Sequence, residues 1–532
     1  MWHVALMTGG EVLVRSLAAH GIDVVFGIPG NHNLSIYEHL ASTNIRHVLS
    51  RHEQGCGYAA DGYARSSGRP GVALVTAGPA VLNTLAALGQ AYSDSIPVLL
   101  VSPGMPLRHP YRGNGHLHET KDQHAAVEAV VAASYRVTSV AEIGNAVSQA
   151  FADMTAGRPR PVHIEVPIDV LDESAHTQVG CPVDLPVVTA PADQLNRAAA
   201  ALAEASRPGI VVGGGARSAA TEVRLLAERL GATVVTTTNG KGVLPEDHPL
   251  SLGAGAHLPA IAEWARTRDV IIAVGTDLGS SDLWNGTWQL DGTLVRIDID
   301  PRQIGVNVRP DIALVSDAAR ALRSLRQQLG EGGVGLVGGE AAAWASRVGD
   351  EASAEGALWR DEIQAIAGVL ERDAIVAGDS AAVCYYGMRA NLPLHAPGGF
   401  LYPTGYGTLG YGLPAAIGAK VAAPERQVVA VLGDGGIMYT LPELASAAAE
   451  GLAIPVIVVD NGGYGQIRRN MELRGYAPLG VDLPSPDFAA AGRALGCHGV
   501  TIETPEHLSE QLAKALVQDR PTVLHVMEGG AT

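Results

Sequence analysis

An apolar run from Val428 to Leu432 breaks off in Gly433-Asp434-Gly435-Gly436. A second run, from Ile454 to Val459, breaks off in Asp460-Asn461-Gly462-Gly463, with a helix-forming stretch between them. A strand that is apolar along both faces must be covered on both. Strand–helix–strand units of this kind wind a parallel sheet with helices on each side. The same alternation runs through most of the 532 residues, in runs such as VVFGIP, GVALVTAG, PVLLVSP, PGIVVGGG and LVRIDID. The chain is therefore expected to be α/β, built from three doubly wound parallel-sheet domains. Two connections punctuate it: the Pro-rich CPVDLPVVTAPAD and the Gly-rich GEGGVGLVGGE from Gly330 to Glu340. They divide the chain into domains over residues 1–180, 190–330 and 341–532.

In parallel α/β sheets, ligands bind outside the carboxyl ends of the strands. The Asp434 carboxylate and the Asn461 amide oxygen, 27 residues apart, stand at two such ends. Together they suit a hard octahedral cation such as Mg²⁺. The neighbouring glycines let backbone N–H groups approach a phosphate. Gly-Asp-Gly alone is a common turn, and the paired Asn461 is what turns the reading toward a Mg²⁺–diphosphate site. In the first block, Glu53 follows Val48-Leu49 and opens the helix-forming EQGCGYAADGYAR. Alone it reads as a first-turn carboxylate favoured by the helix dipole.

A formal charge of −17 argues against nucleic acid or an anionic membrane as a partner. The four cysteines show no metal spacing, and no apolar run reaches the ~18 residues of a membrane span. With no signal-peptide pattern at the N-terminus, a cytoplasmic protein is expected.

RHEQGCGYAADGYAR, together with Gly-Asp-Gly and Asn461 at this spacing, resembles the thiamine diphosphate enzymes of the acetolactate synthase and pyruvate decarboxylase superfamily. GIPGNHNLSIY, GPAVLNTLAALGQAYSDSIPVLLVS, RPRPVHIEVPIDV, VRIDIDP and GTLGYGLPAAIGAK extend the resemblance along the chain. The resemblance implies three domains: pyrimidine-binding, middle and diphosphate-binding. It implies that Glu53 hydrogen-bonds N1′ of the aminopyrimidine, that the Gly407 carbonyl accepts from the 4′-amino group, and that Leu409 holds the cofactor bent. Asp434, Asn461 and the Gly463 carbonyl would bind Mg²⁺. Asp379, Ser380, Gly433, Gly435, Gly436 and Tyr464 would line the cofactor. Active sites would lie between two copies of a homodimer or homotetramer.

Two departures stand out: Asp460-Asn461 where the family usually has Asn-Asn, and Gly78-Pro79-Ala80 for Gly-Pro-Gly. Acetolactate synthases carry a glutamine where this chain has His118. They bind FAD through an arginine-bearing segment, where GTDLGSSDLW has no arginine, so FAD is not expected. Gly213-Gly214-Gly215 reads as a tight strand–helix turn. NGHLHETKDQ and NGGYGQIRRNM narrow the resemblance to the 5-guanidino-2-oxopentanoate decarboxylases. The reaction expected is non-oxidative decarboxylation of a small 2-oxo acid to an aldehyde. An acetolactate synthase-type carboligase and a catalytically silent paralogue are the alternatives.

His32, His118 and His116 are the acid–base candidates, histidine being the side chain that titrates near neutral pH. Asn31 and Gln123 rank behind them. The segment after Asn461 is expected to wall the substrate site, with Arg468 and Arg469 on a solvated face. Asp460, Glu472 or Asp482 could meet a guanidinium.

Overall fold

The computed structural model describes residues 4–108, 113–284, 286–330 and 338–529. Three parallel sheets carry the fold. Numbering strands by chain order within each sheet, the first is six-stranded in the order 2-1-3-4-6-5. Its strands run, edge to edge, Arg46–Leu49, Val24–Gly27, Gly71–Leu74, Val98–Gly104, Val162–Pro167 and Ala133–Arg136. The third repeats that order with Phe400–Leu401, Ile375–Gly378, Val428–Gly433, Pro455–Asp460, Thr522–Met527 and His498–Ile502. The five-stranded middle sheet runs 2-1-3-4-5, from Thr233–Thr236 through Pro208–Val212, Val270–Val274 and Thr293–Asp298 to Ile312–Val315. Every pairing within the three is parallel, as the apolar runs require. The departure is an antiparallel ribbon, Ala5–Thr8 against Ser174–Thr177, where the chain enters and leaves the first block side by side.

Each sheet reverses its winding between its first and third strands. A crevice opens at such a switch point because the two following connections run to opposite faces. The three crevices are where function is to be sought.

The first and third sheets share one core. The helix Glu53–Ser67 crosses the helix Gly412–Ala422 so closely that a Cβ on Gly62 would stand 2.1 Å from the Ala415 carbonyl oxygen. One on Gly418 would stand 1.9 Å from that of Ala59. The 412–422 helix is buried along nearly its whole circumference, which its sequence GLPAAIGAKVA, almost without polar side chains, allows. Ala87, Leu100, Tyr411, Ile417 and Val456 fall in the same buried cluster.

The first connection, 181–191, carries no helix or strand. Of the second, residues 331–337 lie outside the described residues, and Gly338 already begins the helix Gly338–Glu355. That helix, which the sequence assigns largely to the third domain, lays Trp344, Val348 and Ala352 into the core around Trp264 and Leu258 of the middle sheet. Among the described residues no helix is long and apolar enough to cross a membrane.

Candidate active site

The switch point of the third sheet lies between Ile375–Gly378 and Val428–Gly433. Beyond these strand ends a cleft is lined by Ser380, Gly433, Asp434, Gly435, Gly436, Asn461, Gly463 and Tyr464, with Gly407 and Leu409 on one wall. These residues, singled out in sequence over a span from 380 to 464, thus come together. A side chain at position 436 would meet Asp379 Oδ2 at 2.7 Å, so the cleft floor is bare backbone.

Asp434 lies buried at the end of its strand. Burial, with Asp460 beside it, pushes its carboxyl up, against the backbone N–H groups of Gly435, Asn461 and Gly463. Asn461 Oδ1 is buried and accepts no hydrogen bond. Both a strained carboxylate and an orphaned amide oxygen are relieved by a cation. Among the described residues no group of three or more His, Cys, Asp and Glu side chains could hold a metal. A cation here would rest on a mixed set, Asp434, Asn461 and the Gly463 carbonyl, which is hard-oxygen chemistry suited to Mg²⁺. The residues present fit the group.

Asp379 does not line the cleft. It is wholly buried and accepts from the N–H groups of Ser380 at 2.8 Å, Gly410 at 2.8 Å and Tyr411 at 3.4 Å. Burial pushes its carboxyl up to about 6. Asp460, the departure from Asn-Asn, is buried as well. Despite that burial, Ser485 Oγ at 2.7 Å, the Gly462 N–H and His525 Nε2 at 3.0 Å hold its carboxyl down. It therefore faces its own sheet. Asp482 pairs with Arg468, and Arg469 is exposed, with its guanidinium over the Tyr386 ring. Glu472 is exposed. Besides Asp434, the carboxylate among the described residues that lines the cleft, with Asn461, is Glu528. It accepts from Trp359 Nε1 at 2.8 Å, and burial raises its carboxyl. It stands three residues from His525, at the end of an apolar strand, a signal of the same kind that marked Asp434.

The first sheet turns between Val24–Gly27 and Gly71–Leu74, and its switch point carries the histidines. His32 and His118 stack edge to face with ring centroids 4.8 Å apart, and His116 lies 6.3 Å from His32. The Nδ1 atoms of His32 and His118 are buried without a partner. Burial, then His118 and His116, lowers the His32 pKa, so its ring is neutral at pH 7. The chain pins this group tightly. Asn33 accepts from the Gly30 N–H and donates to the Ile28 carbonyl. Gly78, at φ +65°, packs against the His118 backbone. Gln123 is wholly engaged, accepting from the Gly78 N–H at 2.8 Å and donating to the Pro103 carbonyl and Glu165. Gln123 thus supports the loop, and Asn31 points outward, exposed.

Glu53 opens its helix at the end of the second strand's loop and accepts from Asn83 Nδ2 at 2.9 Å. Asn83 sits on the helix Pro79–Asp94, whose cap is Gly78. The loop before Glu53 is held by Glu443 of the third block, which accepts from the N–H groups of Arg51 at 3.0 Å and His52 at 2.9 Å. None of the residues lining the third-sheet cleft comes from the first sheet. Neither Glu53 nor the histidines are among the residues that line the Asp434 cleft.

The middle crevice is closed. Gly213 donates to the Val274 carbonyl and Gly215 to that of Gly275, both at 3.0 Å. A Cβ on Gly215 would stand 2.9 Å from the Gly275 Cα. The glycine triplet serves close packing of two loops.

Comparison with known proteins bears on the whole chain. Residues 7–126 match the N-terminal TPP binding domain of thiamine pyrophosphate enzymes, 195–325 the central domain and 381–526 the C-terminal TPP binding domain. The chain is 42% identical over 512 residues to the probable 2-ketoarginine decarboxylase AruI of Pseudomonas aeruginosa, covering 95% of this chain and 90% of that one. It is 32% identical to a probable acetolactate synthase large subunit of Methanocaldococcus jannaschii, covering 98% and 92%. It is 33% identical to the acetolactate synthase large subunit of Corynebacterium glutamicum, covering 98% and 87%. With the switch-point cleft in place and one domain match falling on each of the three sheets, the chain belongs to the thiamine pyrophosphate enzymes and depends on thiamine diphosphate.

Proposed function

We propose that this protein is a thiamine diphosphate- and Mg²⁺-dependent decarboxylase that converts a 2-oxo acid of the 5-guanidino-2-oxopentanoate type to an aldehyde and CO₂. The observation that carries it is the likeness to the probable 2-ketoarginine decarboxylase along 95% of the chain, joined to a cofactor cleft whose residues fit. When bound, thiamine diphosphate supplies the electron sink for the bond broken at the carboxylate.

The chain's residues then divide the work. Asp434, Asn461 and the Gly463 carbonyl hold Mg²⁺, which neutralises the diphosphate. Ser380, Gly433, Gly435, Gly436 and Tyr464 cradle it. The Gly407 carbonyl would accept from the aminopyrimidine's amino group, and Leu409 would pack against the cofactor's rings and orient them. Glu53 comes from a second copy and hydrogen-bonds the ring nitrogen, so the working unit is a homodimer or a pair of them. Its absence from the lining of its own chain's cleft supports that sharing. His32, neutral at pH 7, would take up the proton that the substrate-derived hydroxyl loses as the aldehyde is released, with His118 and His116 beside it. The contact of Gly215 with Gly275 supports a middle domain without flavin. The four free thiols suit a reducing cytoplasm.

The test is CO₂ release with thiamine diphosphate and Mg²⁺ across 5-guanidino-2-oxopentanoate, pyruvate, branched-chain 2-oxo acids, phenylpyruvate and benzoylformate. Products are read by mass spectrometry. An aldehyde from the cationic acid supports the reading. Acetolactate from pyruvate would move the protein to the carboligases that its 32–33% identical relatives represent.

A further inference from the structure

We infer that Asp94, a residue of the first domain, is a positioning residue for the cofactor wall of its own chain's third domain. The wall segment runs from Thr404 to Tyr411 and carries Gly407 and Leu409. It has no helix or strand of its own, and Gly407 sits at φ +66° with open space around it. Such a segment holds one curve only if its backbone is tied from outside.

It is tied at both ends by a carboxylate. At the far end Asp379 takes the N–H groups of Gly410 and Tyr411, while Thr440 Oγ1 donates to the Gly410 carbonyl at 2.9 Å. At the near end Asp94 takes the N–H of Gly405 on Oδ1 at 2.9 Å and that of Thr404 on Oδ2 at 3.2 Å. Between them Tyr58, on the Glu53 helix, bonds the Thr408 hydroxyl. Asp379 belongs to the cleft's own sheet. Asp94 comes from 310 residues earlier in the chain, at the last turn of the 79–94 helix.

Asp94 is itself rigid. Its side chain is 3% exposed and accepts from Arg65 Nη2 at 2.9 Å and Gln90 Nε2 at 2.7 Å. Arg65 is in turn held by Asp61, and reaches Asn239, in the turn after the Thr233–Thr236 strand of the middle domain, at 3.0 Å. The helix surface fits the segment too. A Cβ on Gly89 would stand 2.8 Å from the Tyr406 ring, and one on Gly405 would stand 2.1 Å from Ser93 Oγ. A carboxylate buried with two backbone N–H groups and a guanidinium is an acceptor that cannot be lost locally without freeing the backbone it holds.

The inference rests on the reading of Gly407 and Leu409 as the cofactor wall, so its first readout needs neither substrate nor turnover. Amide hydrogen exchange of the peptide covering 404–411 would be compared in wild type, Asp94→Ala, Asp94→Asn and Val295→Ala. The last removes methyl groups from the buried core of the middle sheet, and so matches a global loss of stability. Expected is exchange about tenfold faster across 404–411 in Asp94→Ala, a smaller rise in Asp94→Asn, which keeps one acceptor oxygen, and no local rise in Val295→Ala.

At saturating thiamine diphosphate, kcat of Asp94→Ala should fall about ten- to a hundredfold, the scale of a misplacement near 1 Å. Affinity for thiamine diphosphate should change less than about threefold, because Asp434 and Asn461 are untouched. Unchanged exchange at 404–411 would overturn the inference. So would faster exchange with wild-type kcat on any accepted 2-oxo acid, or a loss in Asp94→Ala matched by Val295→Ala. Should no 2-oxo acid turn over in wild type, the proposed reaction fails, and the exchange data alone decide on Asp94.

Discussion

Alanine is the better helix former, by ~1 kcal/mol over glycine in a helix interior, so on propensity alone Gly418→Ala should stabilise the 412–422 helix. The structure reverses the sign. The new Cβ would stand 1.9 Å from the Ala59 carbonyl oxygen and 2.7 Å from the Tyr63 nitrogen. Ordinary contact begins near 3.4 Å, so the helices must part by about 1.5 Å. Both obstacles are backbone, and no rotamer change can relieve them. Overpacking costs ~1–3 kcal/mol, and the rigid opponents put this case at the upper end. A gap of 0.5–1 Å in radius already forfeits roughly a quarter to a half of the dispersion energy along the seam.

The net expectation is a loss of about 2 kcal/mol or more. At roughly 2–4 °C per kcal/mol for a large domain, that is a fall of about 4–8 °C in Tm. Gly349→Ala is the internal standard. It lies in the Gly338–Glu355 helix with nothing within 4 Å of its Cβ position, so it should gain up to ~1 kcal/mol and raise Tm by about 2–4 °C. Thermal unfolding of both variants by far-ultraviolet circular dichroism, without cofactor, measures both signs. Activity should follow only in Gly418→Ala, because its partner helix begins with Glu53 and its own helix follows directly on Leu409. If Gly418→Ala unfolds at or above the wild-type temperature while Gly349→Ala rises, the close crossing is wrong, and with it the account of how the first and third sheets are joined.

Asp434→Ala and Asn461→Ala should each weaken thiamine diphosphate binding at millimolar Mg²⁺ by at least the 10- to 100-fold typical of lesser outer-shell losses, as read by calorimetric titration; unchanged affinity would remove both from the metal's ligand set. Glu53→Gln and Asp434→Ala chains, inactive alone, should regain about a quarter of wild-type activity when mixed and exchanged in equal amounts, because half the dimers would hold one intact site. His163 is buried between Ser102 and Ser134, and burial, then His124, lowers its pKa to about 3 from 6.5. Its depressed folded-state pKa contributes stability that is present above pH 6.5 and lost as pH falls toward 3, at no more than ~1.4 kcal/mol per pH unit. His163→Asn should therefore flatten the acid limb of a Tm–pH profile over that window, and an unchanged slope would refute the assignment.

Sequence made the sheets legible because a strand buried on both faces must be apolar at every position, and runs such as VVAVL and PVIVV have no other reading. Asp434 drew attention for a related reason, as a carboxylate where an apolar run ends in a strand–helix junction, and such junctions are where these sheets bind ligands; Glu53 did so only through the family resemblance, since alone it reads as a helix-start carboxylate. What stayed hidden is the choice of partner over long stretches of chain. Asp379 looks like a phosphate-cradling residue in sequence, yet its carboxylate turns beneath the cleft to hold Gly410 and Tyr411.

Asp460 looks like a neutral-to-charged change in the metal site, and only the fold shows His525 and Ser485 waiting for it. Gln123 looks like an active-site amide and spends every hydrogen bond on the Gly78 loop and its neighbours. In each case the residue type is right for chemistry and equally right for bracing a loop, because a buried carboxylate or amide satisfies backbone N–H groups as readily as it does a ligand. The difference lies in which donors reach it first. Where three-dimensional packing fills all acceptor positions from the chain itself, as for Asp379 and Gln123, the residue shapes the site. Where an oxygen such as Asn461 Oδ1 is buried and left without a donor, its lone pairs are open to a cation or to water, which is the distinction the residue type alone does not make.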